Sequence, residues 1–203
     1  MLKRNGKHFE RGDTMVEVIF SFAVFSLVIV GSLMLMNQGL AMAQRSLEVT
    51  LVRQQIDNQV ALVRQAQENN STAWQELKGP GNNRVVANLN AFETPDACPD
   101  ASSLSDGDTA QFLGIDSATQ SVRRYAANNS ANFAQPGVYS RVDVRGEDNS
   151  GIPKAYGLWL ILSKPESDAV SRGYDLHVRA CWDSVGTNKP MTIGTVVRLY
   201  GIN

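Results

Sequence analysis

Few residues of this 203-residue chain are of a type and spacing that could do chemistry. Near the N-terminus, Gly12 precedes Asp13, Thr14 and Glu17. A glycine just ahead of an apolar segment offers a peptidase an accessible, permissive backbone. A carboxylate at the entrance of that segment is costly unless it meets a cation or caps a helix. Further along stand the only two cysteines, Cys98 and Cys181. Between Val85 and Val122 there is no Lys or Arg, but Glu93, Asp96, Asp100, Asp106, Asp108 and Asp116 are present. Asp106 and Asp108 offer the oxygen ligands that Ca²⁺ favours, although their spacing is not that of an EF-hand and a solvated acidic loop is the simpler reading. The only histidines are His8 and His177, so a tetrahedral metal site would need carboxylates as well. No G-x-S-x-G, Walker-type loop, H-E-x-x-H, C-x-x-C or dinucleotide fingerprint occurs. The expectation is a protein that is not an enzyme and needs no cofactor, with Asp106 and Asp108 as the one candidate pair of Ca²⁺ ligands.

The elements that position these residues follow from how proline, glycine and charge are distributed. Nineteen Lys and Arg against twenty Asp and Glu give a net charge of −1, so the whole chain is no polyanion binder. All seven prolines lie at or beyond Pro80, and residues 13–78 contain only Gly31 and Gly39. One long helix is therefore possible before Pro80. The first twelve residues are basic, with Lys3, Arg4, Lys7 and Arg11 against Glu10. Residues 18–36, VIFSFAVFSLVIVGSLMLM, carry no charge and as a helix would span about 28 Å, close to the thickness of a hydrocarbon core. The sequence divides into a basic leader (1–12), an apolar helix (13–36), an amphipathic helical extension (37–78) and a globular tail (79–203). The basic leader should stay cytoplasmic and the tail should be exported.

Three explanations fit such an N-terminus. A cleaved secretory signal would use Ala41, Met42 and Ala43 as its small-x-small site before Gln44, but the apolar stretch is longer than such signals have. An uncleaved anchor makes no demand on the preceding residues. The third explanation uses the junction Arg11, Gly12, Asp13, Thr14, Met15, Val16, Glu17. Here the chain resembles the class III signal of type IV pilins and type II secretion pseudopilins. The resemblance covers residues 1 to about 40. It implies cleavage by a prepilin peptidase between Gly12 and Asp13 and methylation of the new N-terminus, with Thr14 as second and Glu17 as fifth mature residue. Asp13 departs from the Phe or Met usual at the first position. The resemblance further implies a subunit that is membrane-inserted and then assembled through its N-terminal helix into a filament serving adhesion, motility, DNA uptake or secretion. Its partners would be other pilin subunits, the peptidase, a membrane assembly platform and, before assembly, lipid. In such a filament the α-amino group of Asp13 on a neighbouring chain would pair with Glu17 and set axial register. The local alternative is a capping box, in which Thr14 caps the helix and Glu17 reaches back to its N–H. A different class of protein, a secreted or anchored enzyme or ligand-binding module with a borrowed apolar N-terminus, is the alternative to the filament reading.

Beyond the apolar stretch, Leu47, Leu51 or Val52, Ile56, Val60 and Val63 recur at helical spacing, and the helix is expected to reach about Glu68. Arg53 with Asp57 and Arg64 with Glu68 are expected as i,i+4 ion pairs. The residues from Gly79 to Asn83 break the helix. The pattern then changes to period two over residues 138–144, 174–182 and 191–200, the last with Ile193, Val197 and Leu199 inward, while residues 156–162 are apolar on both faces and suit a central strand. Four or so antiparallel strands packed on the helical stripe make an α+β fold. Cys181 stands on the polar face of its strand, where a disulfide to Cys98 would staple a loop over that face in an oxidising compartment. Arg123 and Arg124 beside Tyr125 could face a neighbouring subunit or nucleic acid, but a tail with eleven basic and thirteen acidic groups gives nucleic acid little support. His177 is expected as an exposed strand residue.

Overall fold

The computed structural model describes residues 13–87, 89, 96–104, 108–146, 151–164 and 173–200, with side chains from Met15 onward. Gly12 and Asp106 lie outside these residues, as do the side chains of Asp13 and Thr14. Helix α1 is Asp13–Glu68, and the molecule divides into two compact units within it, after Gln44. In the first unit no residue between 15 and 44 is buried. Its serines bond internally: the hydroxyls of Ser21, Ser26 and Ser32 donate to the carbonyls of Glu17, Phe22 and Val28 at 2.7–2.8 Å. That removes the polar cost of a hydroxyl in an apolar medium.

In the second unit α1 ends at Glu68, as its sequence period predicts, and the end is built by Asn70. This residue takes φ 43°, and the bonds from Asn70 N to the Gln67 carbonyl and from Ser71 N to the Ala66 carbonyl close a Schellman-type turn. The helical extension expected over residues 37–78 is therefore interrupted: a separate short helix, α2 (Thr72–Lys78), follows and buries Ala73, Trp74 and Leu77. Neither Arg53 with Asp57 nor Arg64 with Glu68 forms an ion pair among the described residues; all four are exposed, and water offers such pairs little advantage.

The strands are β1 (Val85–Val86), β2 (Gln111–Ile115), β3 (Val122–Ala126), β4 (Phe133–Ala134), β5 (Arg141–Asp143), β6 (Lys154–Tyr156), β7 (Leu158–Ser163), β8 (Gly173–Trp182) and β9 (Met191–Tyr200). The main sheet has the order β3-β2-β7-β8-β9 and is antiparallel throughout, with β1 added parallel to β7; a second sheet has the order β4-β6-β5. The expected long strand over residues 156–162 is split at Gly157, which has φ +64° and lies so close to the Cys181 carbonyl that a Cβ would stand 2.3 Å from it. The chain changes sheet at this glycine. The register Leu158↔Ala180, Leu160↔Val178, Leu162↔Leu176 puts these side chains on one face, directly opposite one another. That face packs with Val52, Ile56, Val60 and Val63 of α1 in one core, each buried aliphatic side chain contributing about 1.5–3 kcal/mol. On the other face Trp159 meets Phe133 of the second sheet edge-on at 6.3 Å, and Val142 and Ala155 of the second sheet are buried as well. The result is an α+β fold, a long N-terminal helix packed on a C-terminal, mainly antiparallel sheet.

Candidate functional site

The N-terminal candidates sit in the first unit. Helix α1 already includes Asp13, which puts the Thr14 backbone inside the first turn rather than at the cap position. Glu17 is exposed. It shares one helix face with Val16, Phe20, Val24 and Val28, and these line a shallow open groove together with Ser21 and Phe25. Phe20 is 70% exposed and Phe25 62%. The segment is largely apolar on all sides, with a carboxylate at one end, and none of its residues is buried among the described residues. Gly31 and Gly39 have no atom within 4 Å of where a Cβ would stand, so close packing within this chain does not require them.

The second unit places the other candidates. Cys98 and Cys181 form a disulfide with Cα atoms 5.5 Å apart, and both residues are buried. Two carbonyls at the bridge are held as well, that of Cys181 by the Ser140 hydroxyl at 2.8 Å and that of Cys98 by the Gln135 amide at 2.9 Å. The bridge does fix a loop over the polar face of β8.

The Asp108 carboxylate is engaged by two arginine side chains. It accepts from Arg84 Nε at 2.9 Å and from Arg124 Nη2 at 2.5 Å. Burial opposes its ionisation, but the hydrogen bonds and charges of Arg124 and Arg84 outweigh this and hold its carboxyl below the usual range. Both guanidinium groups compete with any cation for this carboxylate, Asp106 lies outside the described residues, and among the described residues no group of three or more His, Cys, Asp or Glu could hold a metal ion. The same contacts answer for the arginine pair: Arg124 is taken by Asp108 and Gln111, and Arg123 pairs with Glu76 at 3.1 Å. They join α2, β2 and β3 within one molecule.

His177 is half-buried rather than exposed, and burial, followed by the nearby Arg179 charge, lowers its pKa. Its Nε2 lies 3.0 Å from Ser163 Oγ. A nucleophile with a base requires a third group that orients the base, and the neighbouring Asp175 instead bonds both its oxygens to Arg198 at 2.8 Å. Ser163, His177 and Asp175 are thus polar neighbours on two adjoining strands, with Asp175 bonded to Arg198.

Apolar periodicity misses a row of polar residues on the buried stripe of α1. Glu48 is only 5% exposed while its neighbour Leu47 is 60% exposed. The Glu48 carboxylate accepts from Trp182 Nε1 at 3.0 Å and from the Ser184 hydroxyl at 2.6 Å. Gln59 presents its amide like a strand rung: Nε2 donates to the Leu113 carbonyl at 3.0 Å and Oε1 accepts from the Leu113 N–H at 2.9 Å. Gln55 accepts from Val142 N at 3.3 Å, and Gln67 donates to the Tyr200 carbonyl at 2.6 Å. A run of Glu and Gln at helical spacing inside an apolar stripe is the signal that could have found them.

Comparison with models of known protein families, with curated proteins and with solved structures returned no match.

Proposed function

We propose that this chain is a structural subunit of a type IV pilus-like filament, held in the cytoplasmic membrane as a prepilin, cut between Gly12 and Asp13, and polymerised through its N-terminal helix. The observation that carries this reading is a helical stretch with no buried residue between 15 and 44. It lies directly behind a basic leader ending in Gly12 and has one carboxylate, Glu17, at its entrance. A helix apolar on every side requires lipid or neighbouring helices. Apolar packing alone is free to slide, whereas an ion pair fixes register. Glu17 supplies the anion, and the α-amino group that cleavage creates on Asp13 of a neighbouring subunit supplies the cation. The basic leader keeps the N-terminus cytoplasmic, and the unit with the Cys98–Cys181 bridge is exported to a compartment where disulfides persist. Its partners are other pilin subunits, the prepilin peptidase, the assembly platform and, before assembly, lipid. Arg123 and Arg124 are paired with Glu76 and Asp108 within the molecule, which lends nucleic acid no added support as a partner.

The test is Glu17→Ala. Membrane insertion should be unchanged, because removing a charge lowers the cost of insertion. Incorporation into filaments should fall at least roughly tenfold, the equivalent of about 1.4 kcal/mol. Full incorporation of the variant contradicts the register role.

A further inference from the structure

An asparagine followed two residues on by serine or threonine, with no proline between, is the acceptor pattern for N-linked sugars. In this chain it occurs at Asn69, Asn70 and Asn128, whose hydroxyl partners are Ser71, Thr72 and Ser130. The structure separates the three. Asn70 lies in the turn between α1 and α2, exposed and with φ 43°. Its side-chain oxygen accepts from Gln75 Nε2 at 2.5 Å, which leaves its amide nitrogen, Nδ2, without a partner among the described residues. Thr72 is exposed as well, and its hydroxyl has no partner there either. The hydroxyl that would serve Asn69 is engaged: Ser71 Oγ donates to the Ala66 carbonyl at 3.2 Å, and Asn69 N still bonds to the Gln65 carbonyl as the last rung of the helix. Asn128 is half-buried. Glu68 puts a carboxylate two residues ahead of Asn70, where Asn69 and Asn128 have Gln67 and Ala126. Beside the turn opens a hollow of about 240 Å³, with Gln65, Asn69, Thr72, Ser121 and Arg123 on its walls, so the flank of the segment is not closed by packing.

We infer that Asn70 is a site of N-linked glycosylation, its donor a sugar carried on a membrane-lipid diphosphate. In the transfer Nδ2 attacks C1 of the sugar. The N–C1 bond forms as the bond from C1 to the diphosphate oxygen breaks, the lipid diphosphate leaves with the bonding electrons, and one amide proton passes to a base of the transferase. No oxidant or reductant is required. The Thr72 hydroxyl and the Glu68 carboxylate are the two handles that set this asparagine apart from the other two, one a free hydrogen-bonding group and the other a charge. An exposed turn between two helices lets the segment be held without disturbing the core, since the nearest buried residues, Ala66, Gln67 and Ala73, belong to the helices on either side. The inference rests on the reading that the second unit is exported, because the unit must share a compartment with the donor.

The test is peptide mass spectrometry of the full-length protein isolated from its own cells. Trypsin cuts after Arg64 and Lys78, and the peptide between them holds Asn69 and Asn70; the peptide from Tyr125 to Arg141 holds Asn128. The first peptide should be heavier than its sequence by whole sugar residues, with fragmentation placing the addition on Asn70, and the second should be unmodified. Thr72→Ala should abolish the addition and Thr72→Ser should retain it. Ser71→Ala, which removes the pattern of Asn69 alone, should leave it in place, and Glu68→Gln should lower the modified fraction severalfold. An addition on Asn69, or one that survives Thr72→Ala, overturns the inference. The state of Cys98 and Cys181 in the same sample keeps the two readings apart. A bonded pair with a bare 65–78 peptide overturns the glycosylation site and leaves export standing, whereas free thiols with a bare peptide overturn export and the site together.

Discussion

The two parts of helix α1 solve the same problem by opposite means. From 15 to 44 the side chains are almost entirely apolar, none is buried, and among the described residues the hydrogen bonds from side chains run back to the helix's own carbonyls. From 45 to 68 the buried stripe mixes Val52, Ile56, Val60 and Val63 with Glu48, Gln59 and Gln67, and these polar residues reach groups 54 to 136 positions away in sequence. Burial of aliphatic side chains drives docking but leaves position along the axis loosely defined. Buried polar groups that must find specific partners define it, because a slipped register would orphan them. The second part meets those demands within its own chain. The first part meets none of them, and its one charged group, Glu17, has no bonded partner among the described residues. The difference separates a helical stretch whose polar partners are built into the fold from one that has none among the described residues.

The largest expected effect that keeps the two parts distinct comes from the bridge. Replacing Cys98 and Cys181 together by serine should destabilise the second unit by up to about 4 kcal/mol, read from denaturation followed by tryptophan fluorescence, with membrane insertion of the first unit unchanged. All three tryptophans lie in the second unit, so the signal reports on it alone. Next come the pinning residues. Gln59→Leu leaves the N–H and C=O of Leu113 without partners, and Glu48→Ala strands the Trp182 and Ser184 donors; each should cost about 1–3 kcal/mol or somewhat more. Leu47→Ala, beside Glu48 but exposed, should change stability by less than about 0.5 kcal/mol. Equal effects at 47 and 48 would break the contrast.

The smallest effect is in the pH profile. His177 has its folded pKa lowered by burial, so the unfolded chain binds the proton more readily and stability declines as pH falls below about 6.5. Asp108 and Asp175 also have lowered pKa values. Arg198 depresses Asp175 chiefly through its hydrogen bond, so the stability these carboxylates contribute is present above about pH 4 and is lost below it. His177→Gln should remove the first decline and Asp108→Asn should reduce the second, both measured as midpoint against pH.

The legible and illegible parts of this molecule divide on physical lines. Strands β8 and β9 follow from strict alternation, and the end of α1 at Glu68 follows from the last buried positions. Of the second sheet, only β5 is legible, within the alternation over residues 138–144 of which it takes just Arg141–Asp143; β4 and β6 have two and three residues, too few positions to express a period. Gly157 looked like one residue of a continuous apolar strand, and only the close approach of the Cys181 carbonyl gives it a role. Gln59 and Glu48 were passed over because their partners are backbone groups and side chains that topology alone brings near. At the N-terminus the reverse holds: the junction from Gly12 to Glu17 is informative in sequence, while the structure adds that no residue of the helix between 15 and 44 is buried among the described residues.

The most direct measurement is the mass of the mature N-terminus of the protein isolated from its membrane. The filament-subunit reading predicts a chain beginning at Asp13, carrying one methyl group if methylation follows cleavage. A chain beginning at Met1 or at Gln44 would contradict it, the first indicating an uncleaved anchor and the second a conventional secretory signal.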